Sequence, residues 1–177
     1  MKLIVNTLVL VSSFIFIACD RSEKMPPAIN SAVDARALLP GKRWAVKDVG
    51  LRVISLQASE PLSVEWFSAA GELGEYESQA KEKFGKATVE LSKDTVAIAS
   101  NLDLTGAQTY VITDEEKEDT EPGVRLELTG ASDAFKDLGI TEATYTYRIL
   151  GVDEKSLLLE APNEVNNRKV ILWLVAN

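Results

Sequence analysis

The side chains able to do chemistry here are few, and their types exclude more than they suggest. The 177 residues contain no histidine and a single cysteine, Cys19. Without an imidazole, and with one thiol, the chain cannot assemble Ser-His-Asp or Cys-His nucleophilic machinery, a structural zinc site or most transition-metal sites. Carboxylate-only or Lys/Tyr-based catalysis stays open in principle, but no spacing points to it, and the expectation is a protein that is not an enzyme and carries no cofactor. With no cysteine pair there is no disulfide, so stability has to come from burial.

Cys19 has an informative setting. Met1-Lys2 is a short basic start, Leu3 to Ile17 is almost wholly apolar, and Ala18 is a small residue directly before the cysteine. That is the three-part layout of a secretory signal with a cysteine at the cleavage point. As a transmembrane helix the run is too short, since about 20 residues are needed to cross the hydrocarbon core. As an ordinary secretory signal it leaves an exported chain with an unpaired thiol. The run resembles a bacterial lipoprotein signal, with Phe16-Ile17-Ala18-Cys19 at the processing site and Phe16 where that family prefers Leu. The resemblance implies cleavage after Ala18, a diacylglyceryl group on Cys19 and often a third, palmitate-type chain on its amine. Two or more chains give a stable anchor, where one holds only marginally. Residues 1–18 are thus expected to be a signal peptide, 19–30 a lipidated tether and 31–177 the folded domain, in the cell envelope on the periplasmic side or at the cell surface. Asp20 resembles an inner-membrane retention signal of some double-membrane bacteria; equally, Asp20 to Lys24 is a solvated tether.

Residues 1–18 hold one lysine and no acid, so the remainder carries 18 basic against 27 acidic residues, a formal charge of −9. Such a surface disfavours nucleic acid and anionic headgroups as partners. Two stretches rich in side-chain oxygens stand out. Asn101-Leu102-Asp103-Leu104-Thr105-Gly106 has oxygen-bearing side chains at alternate positions before a glycine, like the first half of a calcium loop, but its twelfth position is Ile112 where a bidentate acid belongs. A turn explains the same residues without an ion. Asp114 to Glu121 concentrates six acids in eight residues; it suits a basic partner or a divalent cation, and a solvated loop is the commoner meaning of such a run.

The elements that would position these groups are mostly strands. Met25-Pro26-Pro27 reads as extended linker. Ser31 to Leu39 reads as a short helix capped by Ser31 or Asn30, stopped by Pro40-Gly41, and packed through Val33, Ala37 and Leu38. Period-two alternation starts at Arg43, grouping Trp44, Val46 and Asp48 on one face, with a bend at Gly50 before Leu51 to Leu56. Pro61 to Trp66 is a short strand candidate. Ser68 to Lys83 reads as a helix, since Leu73, Tyr76, Ala80 and Phe84 are spaced three or four apart as on one helical face. Hairpins follow: Ala87 to Leu91, a turn at Lys93-Asp94, a return strand through Val96 and Ile98, then Tyr110 to Thr113 and Val124 to Leu128. Ser132 to Leu138 suggests one or two helical turns. Thr144 to Leu150, Ser156 to Ala161 and Lys169 to Val175 form a closing meander. The last strand is apolar on both faces, so both must be covered, the outer one under a helix if not otherwise.

Roughly eight closely spaced strands with one or two short helices predict a mainly β fold, an antiparallel up-and-down barrel that closes on itself and removes its edges. Leu39-Pro40-Gly41-Lys42-Arg43-Trp44-Ala45-Val46 resembles the Gly-x-Trp opening of the lipocalin-like barrels, here with one residue more between Gly41 and Trp44. Tyr145 to Leu150, Leu157 to Glu160 and Lys169 to Trp173 resemble that family's closing strands. The resemblance implies Trp44 at the closed bottom of the barrel and a mouth holding a small apolar or amphipathic ligand, with Trp44, Tyr147 and Trp173 as ligand-binding residues. The same aromatics serve equally as core. Two functions follow as expectations: a lipid-anchored, non-enzymatic binding module for a small amphipathic ligand, or an interaction protein (inhibitor, immunity factor or accessory subunit) using the acidic loop against a basic partner.

Overall fold

The computed structural model describes residues 24–53, 63–102, 104–115, 123–131, 142–165 and 168–177. The signal-like segment, residues 54–62, most of the acidic run and the 132–138 helix candidate lie outside the described residues. The chain runs α1 (Ala32–Leu38), β1 (Lys42–Val53), β2 (Glu65–Trp66), α2 (Glu75–Phe84), β3 (Thr88–Leu91), β4 (Val96–Leu102), β5 (Leu104–Glu115), β6 (Gly123–Ala131), β7 (Glu142–Val152), β8 (Ser156–Val165) and β9 (Arg168–Ala176). Strands β3 to β9 are successive antiparallel neighbours. β1 pairs with β3 on one side and β9 on the other, closing an eight-stranded antiparallel barrel, with β2 as one extra strand on β1. The expected barrel and its two short helices are therefore present. No helix among the described residues is long and apolar enough to cross a membrane.

Helix α1 covers one end of the barrel. Ser31 caps it, its Oγ accepting the Val33 N–H at 3.1 Å. The face it buries differs from the sequence expectation. Ala32, Ala35 and Leu39 join the core, while Val33 is 68% exposed and Ala37 also faces solvent. The reason is tertiary: the Ala32 N–H donates to Asp114 Oδ1 at 2.6 Å and Arg36 donates to the Ile112 carbonyl, so two side-chain bonds to β5 fix the helix's rotation. Just before α1, Ala28 bridges to Gly151 and Pro27 accepts the Val152 N–H. α2 packs on β1 and β4, adding Ala80 and Phe84 to the core. It lies where β3, only four residues long, stops pairing with β1 beyond Ala45.

The expected bend at Gly50 is absent, and β1 runs straight through it. The irregularity comes earlier: Val46 pairs with Leu174 and Asp48 with Trp173, leaving Lys47 as the extra residue of a bulge. The bulge reverses the parity, so Trp44 and Val46 face inward, then Val49 and Leu51, and Asp48 turns outward. Asp48 instead holds the segment after β2, accepting hydrogen bonds from Val49 N, Ser68 N and Ser68 Oγ.

Gly50 has a different role. A Cβ there would lie 2.7 Å from Val64 Cγ1, 2.8 Å from the Glu65 carbonyl and 2.9 Å from Trp66 Cε3. Gly50 is the cross-strand partner of Trp66, and its bare backbone lets the indole lie across the sheet toward Trp173, ring centroids 5.5 Å apart. Val64 and Trp66 thereby cover Leu158, Ile171 and Trp173 on the outer wall. The two-faced apolar strand β9 is covered as required, by a short strand and not by a helix.

Replacing Gly50 with leucine should force this strap off the wall. The expected loss is about 2 kcal/mol, typical of overpacking, with a red-shifted tryptophan emission as Trp66 and Trp173 become wetter. Denaturant unfolding followed by fluorescence measures both; an unchanged midpoint and spectrum would refute the wall-crossing role of Gly50.

Candidate functional site

The interior was the expected ligand site, and it is occupied by the protein itself. Trp44 and Tyr147 both point inward and are 0% exposed, as are Leu91, Leu102, Leu126, Leu128, Leu157 and Leu174. A side chain lining a space that could admit a ligand, or even water, would keep accessible surface. Trp44 Nε1 donates to the Leu39 carbonyl at 3.3 Å, tying the α1 plug to the first strand. Tyr147 spans the barrel, its hydroxyl donating to the Leu102 carbonyl of β4 at 2.8 Å. Small side chains share the interior with these rings: Ala97 and Ala99 on β4 and Ala32 and Ala35 on α1 are all buried in the same core.

Trp173 is not with them. Along β9, Val170, Leu172 and Leu174 enter the core, while Ile171 and Trp173 lie on the outer wall. Trp173 is sandwiched between Trp66 and Lys47, whose Nζ sits 4.4 Å from the ring centroid. Its indole N–H is buried without an acceptor. The three expected ligand-binding residues are thus split between interior and exterior, and no single pocket holds all three.

The acidic run is also divided. Asp114 caps α1 from 82 residues away and so serves the fold, and Glu116 to Glu121 lie outside the described residues. β5 and β6 pair up to Glu115 and Gly123, the residues that flank this stretch. In the calcium-like stretch, Asn101 takes a left-handed backbone (φ 58°) and Leu102 pairs with Leu104, the geometry of a tight hairpin. Ile112 is a core side chain. Among the described residues no three acidic side chains gather as metal ligands.

Two features escaped the sequence reading. The first is Gln108, inward-facing on β5 and 4% exposed. Its Nε2 donates to the Gly106 carbonyl at 2.9 Å, while its Oε1 is buried with no partner. Gly130 makes room for it, since a Cβ there would lie 2.5 Å from Gln108 Cγ. A lone amide in an otherwise apolar inward series (Gln108, Tyr110, Ile112) was the available signal. The second is an outer patch on β4 and β5, where Val96, Ile98 (55% exposed) and Val111 (52% exposed) face solvent. Val96 pairs with Thr109 and Ile98 with Ala107, so the patch runs across two strands, with Glu90 opposite Ile98 and Glu127 opposite Val111 at its margins. Larger residues point out and alanines in on β4, the reverse of the usual preference, because the rings of the interior leave space only for small side chains.

Comparison of the chain with protein-family models, with curated proteins and with solved structures finds no match.

Tyr110 lies at the α1 end, its hydroxyl donating to the Ser92 carbonyl at 2.5 Å and holding the β3–β4 turn. Burial, and secondarily the Asp94 carboxylate, raise its pKa above the ordinary tyrosine value of 10.0. A folded-state pKa above the unfolded one means stability that is complete below the unfolded value and is lost as pH rises through the folded one. Thermal unfolding across pH 8 to 11.5 should show that alkaline loss in the parent chain and a shallower one in Tyr110→Phe, which at neutral pH loses about 1 kcal/mol. Parallel profiles would show that Tyr110 is not the titrating group.

Proposed function

We propose that this protein is a lipid-anchored, non-enzymatic envelope lipoprotein whose lipocalin-like barrel acts as a protein-interaction module. The anchor is Cys19, acylated after removal of residues 1–18, and membrane association comes through its acyl chains. The observation that carries the interaction role is a contrast: the interior is taken up by Trp44, Tyr147 and their neighbours, while Val96, Ile98 and Val111 stand exposed together on one wall. Isolated surface hydrophobics are ordinary, but an apolar patch spanning two strands with carboxylates at its margins has the make-up of an interface, an apolar centre within a polar rim. Glu90 and Glu127, the cross-strand neighbours of Ile98 and Val111, supply a charged rim, and the acidic run 116–121 follows the strand that carries Val111 in sequence. The partner this suits has an apolar contact face and basic surroundings, as for a protein that the barrel inhibits, protects against or accompanies. Nucleic acid is disfavoured by the net charge.

The test is photo-crosslinking in intact cells of the producing bacterium, with a benzophenone amino acid at position 98, at 111 or, as control, at Glu82 on α2. One discrete adduct from 98 and 111, absent from 82 and reduced when Glu116, Glu118, Asp119 and Glu121 are neutralised, is the expected result. Adducts equally frequent from all three positions would remove the proposal.

A second reading, storage of a small amphipathic ligand, is favoured by one observation, the unpartnered Oε1 of buried Gln108. It expects saturable, one-to-one uptake of a fluorescent hydrophobic probe by residues 25–177, weakened in Gln108→Leu. The filled interior expects no such uptake, so a flat titration disposes of this second reading.

A further inference from the structure

Resting on the reading of Cys19 as the acylated terminus, we infer that the barrel stands on the bilayer with its α1 end toward the lipid and its α2 end facing away. The surface involved is made by residues 24–33 and the turns at 92–95 and 153–155, and its partner is the headgroup layer of a zwitterionic membrane.

The first argument is length. The tether does not leave the barrel at a free loop. Pro26 is buried, the Pro27 carbonyl accepts the Val152 N–H at 3.2 Å, and Ala28 bridges to Gly151. Gly151 admits this close approach, since a Cβ there would sit 2.7 Å from the Pro27 carbonyl and 3.0 Å from that of Pro26. These contacts are at the β7–β8 turn, hence at the α1 end. Only seven peptide steps separate Cys19 from Pro26, about 25 Å at full extension. The longest strands have 12 residues, which gives about 40 Å along the strand and about 30 Å along a barrel axis tilted by some 40° from it. A barrel standing on its α2 end would need the tether to climb its whole height, which that length does not allow.

The second argument is independent of the tether. Met25 and Val33, two of the few large hydrophobic side chains exposed on the described surface, both lie at this end. Apolar side chains beside a lipid interface gain by entering it, which adds to the tether's bias toward this end. In the turns of this end Lys93 and Lys155 stand among Asp94, Asp153 and Glu154, a mixed surface without the net positive charge that anionic lipid would attract, so the approach is to zwitterionic lipid. The β4–β5 patch then faces sideways, close above the membrane.

The test uses the acylated protein extracted from its producing cells and reconstituted in phosphatidylcholine vesicles carrying a headgroup nitroxide. Acylation occupies the native thiol, so single variants Lys93→Cys, Lys155→Cys and Lys81→Cys can each be labelled with one fluorophore at an exposed site. Labels at 93 and 155 should be quenched several-fold more than the label at 81, which should match nitroxide-free vesicles. Equal quenching at all three, or stronger quenching at 81, overturns the orientation. Intact mass of the same samples separates the two claims. If the acyl chains are present and the quenching order is wrong, the orientation alone fails; if they are absent, the anchor fails and takes the orientation with it.

Discussion

An eight-stranded barrel encloses a space only just wide enough for side chains, and this chain fills that space with two large rings. Trp44 enters from the first strand and is hydrogen-bonded to the Leu39 carbonyl just before it, while Tyr147 enters from β7 and reaches the Leu102 carbonyl of β4 across the interior. Much else follows from that choice of volume. Small side chains share that space with the rings, and alanines turn inward on α1 and β4. On β4 the β-branched side chains are then left facing solvent. A barrel packed in this way holds its shape through its core, which leaves the outer wall and the two ends as the surfaces available for recognition.

The outer wall carries its own small core. Leu158, Ile171 and Trp173 would be an exposed apolar strip if the connection between β1 and β3 did not return over them through Val64 and Trp66. Three local features make the return possible: the bulge at Lys47, the bare backbone of Gly50 and the carboxylate of Asp48 that holds Ser68. On the same wall the Arg52 Nε meets Glu160 Oε2 at 2.7 Å, bridging over β9 from β1 to β8. Lys47, displaced by the bulge, closes over the free face of Trp173.

The sequence made the architecture readable where alternation was unambiguous. Strands from Thr88 onward, the Ser31 cap and the closing meander follow from period, capping and turn chemistry, and the structure has them. It failed where parity was undecided. Val170 to Val175 is apolar at every position, so nothing local says which of its side chains enter the barrel, and it is the β1–β9 register that puts Trp173 outside. Asp48 was grouped with Trp44 because a one-residue bulge leaves no mark in the amino-acid pattern. Val33 and Ala37 were the natural buried face of α1 until Asp114 and Ile112, distant in sequence, set its rotation. The candidate surface on β4 and β5 was hidden for the same reason, since Ala97 and Ala99 point inward only because of rings contributed by other strands.

The seam of the barrel joins the first strand to the last, from Trp44 opposite Ala176 to Val53 opposite Arg168. More than a hundred residues of chain must therefore be available before the cylinder can shut, which marks it as a slow, late-closing topology. Until then, β1 presents a row of unsatisfied amides and carbonyls along one side. A nascent or prematurely terminated polypeptide lacking Arg168–Ala176 would offer that row to any neighbour able to supply a strand, including the ninth strand of a sister molecule. The same late seam keeps the chain threadable through a narrow conduit until its final residues have passed.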